Sequence, residues 1–240
     1  MNITLKLRKW QSEAIERSKR STYGIFLEAL GGRGKTICAL AIAKEKNAKK
    51  IIITNNRLSI LKGWKEAIKK MNFDSDVEFI ISTDRSIQNM LKKGSKFNCD
   101  VLIIDEWQNM SSEKQVALYR RIKRKYTIGL SATPIRKKGQ NFYPLEKTIF
   151  GFANPNNKFD WQKVHGRMVY DPFTFSKEKW EDFRDYERYV NNLPNFFRWE
   201  EIEEIENAVE NNGYEIKFYP VTVEPGNPET LDKFRKLNLV

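Results

Sequence analysis

The chain has 240 residues, which suffices for one domain with a substantial core and an appended subdomain. Hydrophobic residues make up 40% of the sequence and charged residues 31%, which argues against a disordered chain, and no apolar run approaches membrane-spanning length. The net charge of +12 is uneven, because residues 1–150 carry +17 and residues 151–240 carry −5. We therefore expect the first part to meet a polyanion, although a generic lysine-rich surface would give the same charge.

The cysteine and histidine content indicates a reducing compartment and argues against a metal site built from these residues. Cys38 and Cys99 lie inside apolar stretches, which is typical of buried free thiols in a reducing compartment. His165 is the single histidine, and no metal-ligand spacing is present. The first residues lack the apolar core of a signal peptide, so we expect a cytoplasmic, intracellular protein that does not enter a membrane.

Short apolar runs alternate with longer amphipathic segments along the first part of the chain. The runs predict strands at Gly24–Glu28, Lys50–Thr54, Val77–Ser82, Val101–Ile104 and Tyr126–Leu130. The segments between them predict helices at Thr36–Glu45, Ser59–Met71, Asp84–Lys92 and Glu113–Lys123. Several runs are apolar on both faces, as a parallel sheet covered by helices on both sides requires. The predicted fold class is α/β, a doubly wound and mainly parallel sheet that binds ligands at the carboxyl ends of its strands.

The pattern changes after Pro134. Residues 139–175 predict loops with short helices, and residues 176–211 predict two helical segments, the second strongly acidic over 200–210. Tyr214–Val223 alternates like a strand, and Pro228–Leu237 predicts a final helix. The predicted organisation is a first domain at 1–150, a small, mostly helical and loop insertion at 151–213, and a closing strand and C-terminal helix at 214–240.

The strongest motif is the glycine-rich segment Ala29–Thr36, which follows a predicted strand and opens a predicted helix. Glycines let backbone amides close around phosphate oxygens, and the helix start adds unpaired N–H groups and a positive dipole end. Lys35 supplies a charge for the β and γ phosphates, and the Thr36 hydroxyl can ligate Mg²⁺. A chance glycine-rich turn is the alternative, which the strand–helix junction disfavours. The predicted nucleotide contacts of this loop are Gly31, Gly32, Arg33, Gly34, Lys35 and Thr36.

Two carboxylates, Asp105 and Glu106, end the apolar strand Val101–Ile104. In a phosphate-loop domain the first acid holds Mg²⁺, and the second orients or deprotonates the attacking water. Alone, such a pair is often a helix N-cap. It becomes specific when it follows a phosphate loop by roughly 70 residues.

Two weaker motifs flank this pair. Gly129–Pro134 follows another apolar strand, and its hydroxyl residues Ser131 and Thr133 can sense a bound phosphate. Standing alone, this segment would be only a turn with a helix cap. Gln11 lies in an amphipathic helix near the start, and its amide can pair with an adenine edge as donor and acceptor, although a solvent-facing glutamine is the alternative.

In this order the motifs resemble the first RecA-like lobe of superfamily-two helicases, nearest to Swi/Snf-type translocases and restriction-enzyme-like helicase subunits. The resemblance spans roughly residues 5–150, with Tyr214–Val223 as a candidate for the strand that closes the lobe. The matching segments are Gly24–Leu27 before the loop, Thr54–Arg57 with Trp64 as motif Ia, Ser82–Asp84 as motif Ib, Asp105–Gln108 at the DExH or DExD box, and Ser131–Thr133 as motif III.

The resemblance implies ATP and Mg²⁺ as cofactors and DNA as a partner contacted along its backbone, independently of sequence. It assigns Gln11 to adenine, Thr36 and Asp105 to the metal, and Ser131 and Thr133 to the nucleotide. The implied catalytic residues are Lys35, Asp105, Glu106 and Gln108, the last in place of the usual His or Asp. The implied contacts to a nucleic-acid strand are Asn56, Arg57, Thr83 and Arg85.

No Gln-x-x-Gly-Arg-x-x-Arg element follows Pro134. In the family that element belongs to a second lobe and brings arginines to the γ-phosphate, which can be worth several orders of magnitude in rate. The second lobe is thus expected to be absent from this chain and to come from a protein partner or a second copy, and we expect the isolated chain to hydrolyse ATP weakly. Replication, recombination or repair is the expected process, and a bacteriophage gene expressed in the host cytoplasm would suit such a chain.

Alternatives remain at this point. An ATP-gated DNA-binding or loading factor without motor activity would share the same site residues, whereas the basic surface argues against an unrelated phosphate-loop enzyme such as a small-molecule kinase. The aromatics of residues 142–161 could stack on bases, but the core of a small subdomain is favoured. Basic clusters that could bind phosphates, each also typical of a solvated helix end, lie at 49–50, 69–70, 92–93, 120–125 and 136–138.

Overall fold

The computed structural model describes residues 6–107, 113–132, 142–149, 155–173, 178–193 and 196–198. Its strands are β1 Gly24–Glu28, β2 Lys50–Asn55, β3 Glu78–Thr83, β4 Asn98–Asp105, β5 Lys123–Ser131, β6 Gly166–Tyr170, β7 Glu178–Phe183 and β8 Phe196–Arg198. Its helices are α1 Lys9–Lys19, α2 Lys35–Glu45, α3 Leu58–Met71, α4 Asp84–Lys92, α5 Glu113–Tyr119, α6 Phe142–Ile149, α7 Lys158–His165 and α8 Tyr186–Asn192.

Six of these strands form one parallel sheet in the order β3-β2-β4-β5-β1-β8. The predicted fold class is confirmed, and every strand and helix predicted before Pro134 is present. The largest difference is at α5, which ends at Tyr119 instead of Lys123. Lys123 belongs to β5 because its backbone N–H donates to the carbonyl of Phe97 at 3.0 Å and its neighbours pair with β4.

Helices cover both faces of the sheet, because successive residues of the central strands alternate between two apolar clusters. Ile51 and Ile53 of β2 pack in one cluster with residues of α1, α2 and α3. Ile52 packs in the other with residues of α4, α5 and α6. A parallel strand that is buried on both sides needs this continuous apolar run, which is why the sequence predicts β2 and β4 so directly.

One stretch after α7 departs from the helical pattern that its sequence predicts. Residues 178–183 form β7, which pairs antiparallel with β6, so the prediction of helix is wrong over this stretch. Trp180 and Phe183 explain the difference. Trp180 stacks on Trp161 at 5.6 Å and Phe183 meets the edge of Phe142 at 5.6 Å. This packing of rings overrides the local helical pattern.

The strand β8 extends the main sheet beside β1. Phe196 stacks on Phe26 at 4.7 Å, and Arg198 Nε lies 3.2 Å from Glu28 Oε2. The sequence does not predict this strand, because three residues are too few for a periodic pattern. The predicted closing strand 214–223, the final helix and the acidic stretch 200–210 all lie outside the described residues, and the predicted domain boundaries stay predictions.

Both cysteines are buried free thiols, as the sequence predicts. Burial raises the pKa of Cys99 to about 12, so its thiol is protonated and unreactive at neutral pH. Among the helices that the structure describes, none is both long and apolar enough to cross a membrane.

Candidate nucleotide site and nucleic-acid edge

The carboxyl ends of β1, β4 and β5 bring the three motifs to one edge of the sheet. Glu28 pairs in register with Ser131, and Asp105 pairs with Leu130. The backbone N–H of Ala29 donates to the carbonyl of Ser131 at 3.2 Å, so the phosphate loop starts against the third motif. Ligands of doubly wound sheets bind at this edge.

The loop between β1 and α2 has the geometry of an anion cradle. Gly32 and Gly34 have φ angles of +75° and +88°, in the left-handed region that favours glycine. A Cβ atom at Gly31 or Gly32 would meet no atom within 4 Å, so both positions border open space. Helix α2 begins at Lys35 with Gly34 as its N-cap, and its first N–H groups lack intrahelical acceptors. This arrangement fits a polyphosphate.

Lys35 is folded over its own loop. Its Nζ donates to the carbonyls of Ala29 at 2.5 Å and Leu30 at 3.0 Å. Burial lowers the pKa of Lys35, and this effect is opposed by the charges of Glu106 and Asp105 nearby. The lysine therefore lies within electrostatic range of the two acids.

Gln11 is buried, with only 3% of its surface exposed, so the alternative of a solvent-facing glutamine is wrong. Its Nε2 donates to the carbonyl of Gly34 at 3.0 Å, and its Oε1 accepts from the backbone N–H of Arg8 at 2.8 Å. The side chain thus ties α1 to the end of the phosphate loop. The predicted contact of Gln11 with adenine stays a prediction.

Two side chains of the neighbouring β2–α3 segment orient Asp105. Its Oδ2 accepts from Asn55 Nδ2 at 2.8 Å and from Trp64 Nε1 at 2.9 Å. Burial raises the pKa of Asp105, while these two hydrogen bonds oppose the rise. Neither of these bonds uses Oδ1, and carboxylate and hydroxyl oxygens such as those of Asp105 and Thr36 are the ligands that Mg²⁺ prefers. The sequence places Asn55 in motif Ia but does not predict its bond to Asp105, although a polar residue at the end of a strand was a usable signal.

Glu106 follows directly in a left-handed conformation, with φ at +54°. For a residue with a Cβ this conformation costs about 1–2 kcal/mol, and such strain concentrates at functional sites. The next residue, Trp107, anchors the turn in the core against Phe26 at 5.1 Å and Phe142 at 5.6 Å. Gln108 and Thr133, also predicted as site residues, lie outside the described residues.

A second, half-buried carboxylate, Asp84, links three elements next to this site. Its Oδ1 accepts from the Tyr119 hydroxyl at 2.6 Å and also from the Thr54 hydroxyl. Burial raises the pKa of Asp84, the Tyr119 hydrogen bond opposes the rise, and the charge of Asp105 adds to it. The sequence shows Asp84 as part of motif Ib but does not predict this network.

The predicted strand contacts lie together at the same edge of the sheet. Asn56 and Arg57 follow β2, Thr83 ends β3, and Asn55 pairs in register with Thr83. Asn56, Arg57 and Arg85 are exposed. The Thr83 hydroxyl accepts from the N–H of Ser86 at 3.2 Å, so it serves as the N-cap of α4.

The larger basic clusters lie at the opposite, amino edge of the sheet. Clusters 49–50 and 123–125 begin β2 and β5, and 69–70 and 92–93 end α3 and α4, which return antiparallel to the strands. Several of these cations already have protein partners. Lys49 Nζ lies 2.7 Å from Asp76, and Lys125 Nζ lies 2.7 Å from Asp100. The described clusters therefore do not form the candidate strand-contacting surface, and cluster 136–138 lies outside the described residues.

The aromatic residues after α5 behave as core, which confirms the favoured interpretation for the buried ones. Phe142, Tyr143 and Trp161 are each at most 3% exposed and pack among other rings. Phe159 is 38% exposed. Phe150 and Phe152 lie outside the described residues.

Comparison with known proteins gives a family and a fold. The family model for the type III restriction enzyme, res subunit (ResIII) matches residues 4–136. The DNA 3'-5' translocase XPB2 of Sulfurisphaera tokodaii is 28% identical over 153 residues, which is 59% of this chain and 34% of that protein.

Two solved structures of the Sulfolobus solfataricus SWI2/SNF2 ATPase core share the fold. The core in complex with double-stranded DNA matches with a TM-score of 0.61 at 22% identity, and the core domain alone with 0.60 at 20%. Each match covers 85% of this chain and 46% or 45% of the solved chain. This chain thus spans about a third of the translocase and under half of either ATPase core. Because the family model matches more than half of the sequence, the chain belongs to the ResIII family, and its sheet is the RecA-like lobe of a superfamily-two helicase.

Proposed function

We propose that this chain is an ATP-binding motor lobe of the helicase or translocase type that acts on DNA. The observation that best supports the proposal is the convergence of the open glycine loop, Lys35 and the oriented carboxylate of Asp105 at one edge of the sheet. A polyphosphate and its metal need a cationic loop and an oxygen ligand within reach of each other, and this edge provides both.

Each residue of the edge has a role in this proposal. The loop amides and Lys35 bind the triphosphate, and Gln11 faces the adenine side. Thr36 and Asp105 hold Mg²⁺, which neutralises charge on the β and γ phosphates when bound. Glu106 orients the attacking water and accepts its proton. Ser131, whose carbonyl accepts from the N–H of Ala29 where the phosphate loop starts, and Thr133 respond to the phosphate.

DNA is the proposed nucleic acid, contacted along its backbone by Asn56, Arg57, Thr83 and Arg85. The similarity to a DNA translocase and to an ATPase core solved with double-stranded DNA supports this choice. Contacts to phosphates carry no base information, so binding should tolerate any sequence and weaken with salt.

Hydrolysis needs arginines from across the nucleotide cleft, and we place these on a second lobe supplied by a partner or by another copy of this chain. The proposed process is DNA replication, recombination or repair. The lobe alone should therefore bind ATP better than it hydrolyses it. If ATP changes DNA affinity but is never turned over, even with DNA and the partner present, the function is that of an ATP-gated loading factor instead.

The nucleotide site is tested with a fluorescent ATP analogue and a DNA-stimulated ATPase assay on matched variants. Lys35→Ala should abolish nucleotide binding, whereas Lys44→Ala, an exposed position on the same helix, should leave it unchanged. Glu106→Gln should retain binding and lose hydrolysis. Full hydrolysis by Glu106→Gln would rule out its role as base, and unchanged binding by Lys35→Ala would rule out the site.

The strand-contacting edge is tested by the salt dependence of DNA affinity. Arg57→Ala and Arg85→Ala should each weaken binding to all sequences and lower the slope of log affinity against log salt by about 1. Lys69→Ala and Lys92→Ala remove the same charge at the amino edge of the sheet and should leave the slope unchanged. Equal effects of all four variants would mean that DNA binds elsewhere.

A further inference from the structure

One buried amide, that of Asn55, lies between the candidate metal carboxylate and the candidate strand-contacting turn. We infer that Asn55 is a positioning residue that couples the two sites, so that binding of Mg²⁺–nucleotide at Asp105 and of DNA at Asn56 and Arg57 change each other's affinity through this side chain. The inference rests on the proposed function, since it needs both ligands.

The two ends of the amide make different bonds. Asn55 is fully buried, its Nδ2 donates to Asp105 Oδ2 at 2.8 Å, and its Oδ1 accepts from the backbone N–H of Arg57 at 2.8 Å. A reversed amide would place an oxygen against the carboxylate and an NH₂ group against the N–H, so only one orientation satisfies both partners. The position of the Asp105 carboxylate and that of the turn are therefore set by one rigid group.

Trp64 provides an internal comparison. It donates to the same oxygen of Asp105 at 2.9 Å, and its indole has a single donor and no acceptor. Trp64 can therefore orient the carboxylate, but its indole N–H makes no second bond that would link the position of the carboxylate to the turn at residues 55–57. If Asn55 only shaped the turn, its replacement would not change the position of the Asp105 carboxylate.

Coupling follows from close packing around the amide. Asp105 is 7% exposed and Thr54, the neighbour of Asn55, is fully buried, so a shift of the carboxylate towards a bound metal cannot be absorbed by empty space. It must move Nδ2, and with it the N–H of Arg57. Coupling free energies between sites are reciprocal and typically change affinity about 5-fold or more.

The experiment measures the DNA affinity of the full chain in the presence and in the absence of Mg²⁺ and a non-hydrolysable ATP analogue. The ratio of these two DNA affinities measures the coupling. Asn55→Ser keeps a hydroxyl that can accept from the N–H of Arg57 but is too short to reach Asp105. Trp64→Phe removes the other bond to Asp105 and leaves the turn alone. Metal affinity of each variant is measured in parallel by titration, and circular dichroism confirms folding.

We expect the wild type to show a ratio of about 5 or more, in either direction, and Asn55→Ser to reduce it to about 1 while its DNA affinity without nucleotide is kept. Trp64→Phe should weaken metal binding but keep the ratio. An unchanged ratio in Asn55→Ser, or an equal loss in Trp64→Phe, overturns the inference. A wild type that binds both ligands with a ratio of 1 overturns it and leaves the proposed function standing, whereas a wild type that binds neither ligand overturns both.

Discussion

The phosphate loop allows backbone strain and side-chain clash to be measured separately, because three of its glycines have different surroundings. Gly31 has no positive φ and no neighbour within 4 Å of a Cβ. Gly32 has a positive φ and the same open space. Gly34 has a positive φ, and its Cβ would lie 2.7 Å from Gln11 Nε2. The alanine variants of these positions form a graded series.

The expected sizes follow from these surroundings. Gly32→Ala should lower the free energy of unfolding by about 1–2 kcal/mol, the penalty of a left-handed residue with a Cβ. Gly34→Ala should lower it by about 2–3 kcal/mol, since Gln11 must also give up its hydrogen bond to the Gly34 carbonyl. Gly31→Ala should leave it unchanged or raise it slightly. For a folded unit of this size each kcal/mol shifts Tm by about 2–4 °C.

Thermal and urea unfolding without nucleotide measure the series, and a double-mutant cycle with Gln11→Ala isolates the clash. In that background Gly34→Ala should lose only as much stability as Gly32→Ala does. Nucleotide affinity, measured separately, should fall for Gly34→Ala. If Gly34→Ala is no more destabilising than Gly31→Ala, or if Gln11→Ala does not rescue part of its loss, the described contact between α1 and the loop is wrong.

The remaining predictions concern buried and paired carboxylates. Since burial raises the pKa of Asp105 above 3.8, folding favours its protonated form, and Asp105→Asn should raise Tm at pH 7, with a gain that disappears as pH falls towards 3.8. Asp100→Asn should do the opposite: a lysine hydrogen bond lowers the pKa of Asp100, so the variant loses Tm at pH 7 and regains parity as pH falls through that lowered pKa. The same sign for both variants in pH-dependent melts would contradict this. Tyr189→Phe removes a hydrogen-bond donor to the buried Glu146 and should lower the free energy of unfolding by about 1–3 kcal/mol. Tyr23→Phe, at an exposed position, is the control and should change the free energy of unfolding little. Equal losses for the two variants in urea unfolding would contradict the hydrogen bond between Tyr189 and Glu146.

The sequence predicts most of the lobe because its determinants are local. The apolar runs Ile51–Ile53 and Val101–Ile104 each predict a buried strand from a few consecutive residues, and the glycines before Lys35 predict a turn. Those motifs lie at strand ends, and a parallel sheet brings strand ends together without further information. The convergence of the loop and the acidic pair could therefore be predicted before any coordinates.

The features that the sequence does not predict depend on distant partners. β8 is defined by pairing with β1 across 170 residues of chain, through Phe26 and Phe196, and no local pattern announces it. In the sequence Asn55 is one polar residue among several at the end of β2, and only the fold shows that it faces Asp105. The sequence shows the basic clusters but not their place in the fold: 49–50 and 123–125 begin strands, and 69–70 and 92–93 end helices that return antiparallel to the strands, so these four lie at the amino edge of the sheet.

Opposite edges of this sheet carry opposite kinds of interaction. At the amino edge charges are matched: Asp100 accepts from the N–H groups of Lys49 and Lys50 and pairs with Lys125. At the carboxyl edge burial raises the pKa of Asp105, and Glu106 has a strained backbone, so both features oppose folding. A bound metal and phosphate relieve the first of these, because ligands that bind only the folded state stabilise it. Substitutions at the amino edge should therefore change Tm equally with and without nucleotide, whereas those at the carboxyl edge should in addition change the Tm increase that nucleotide produces.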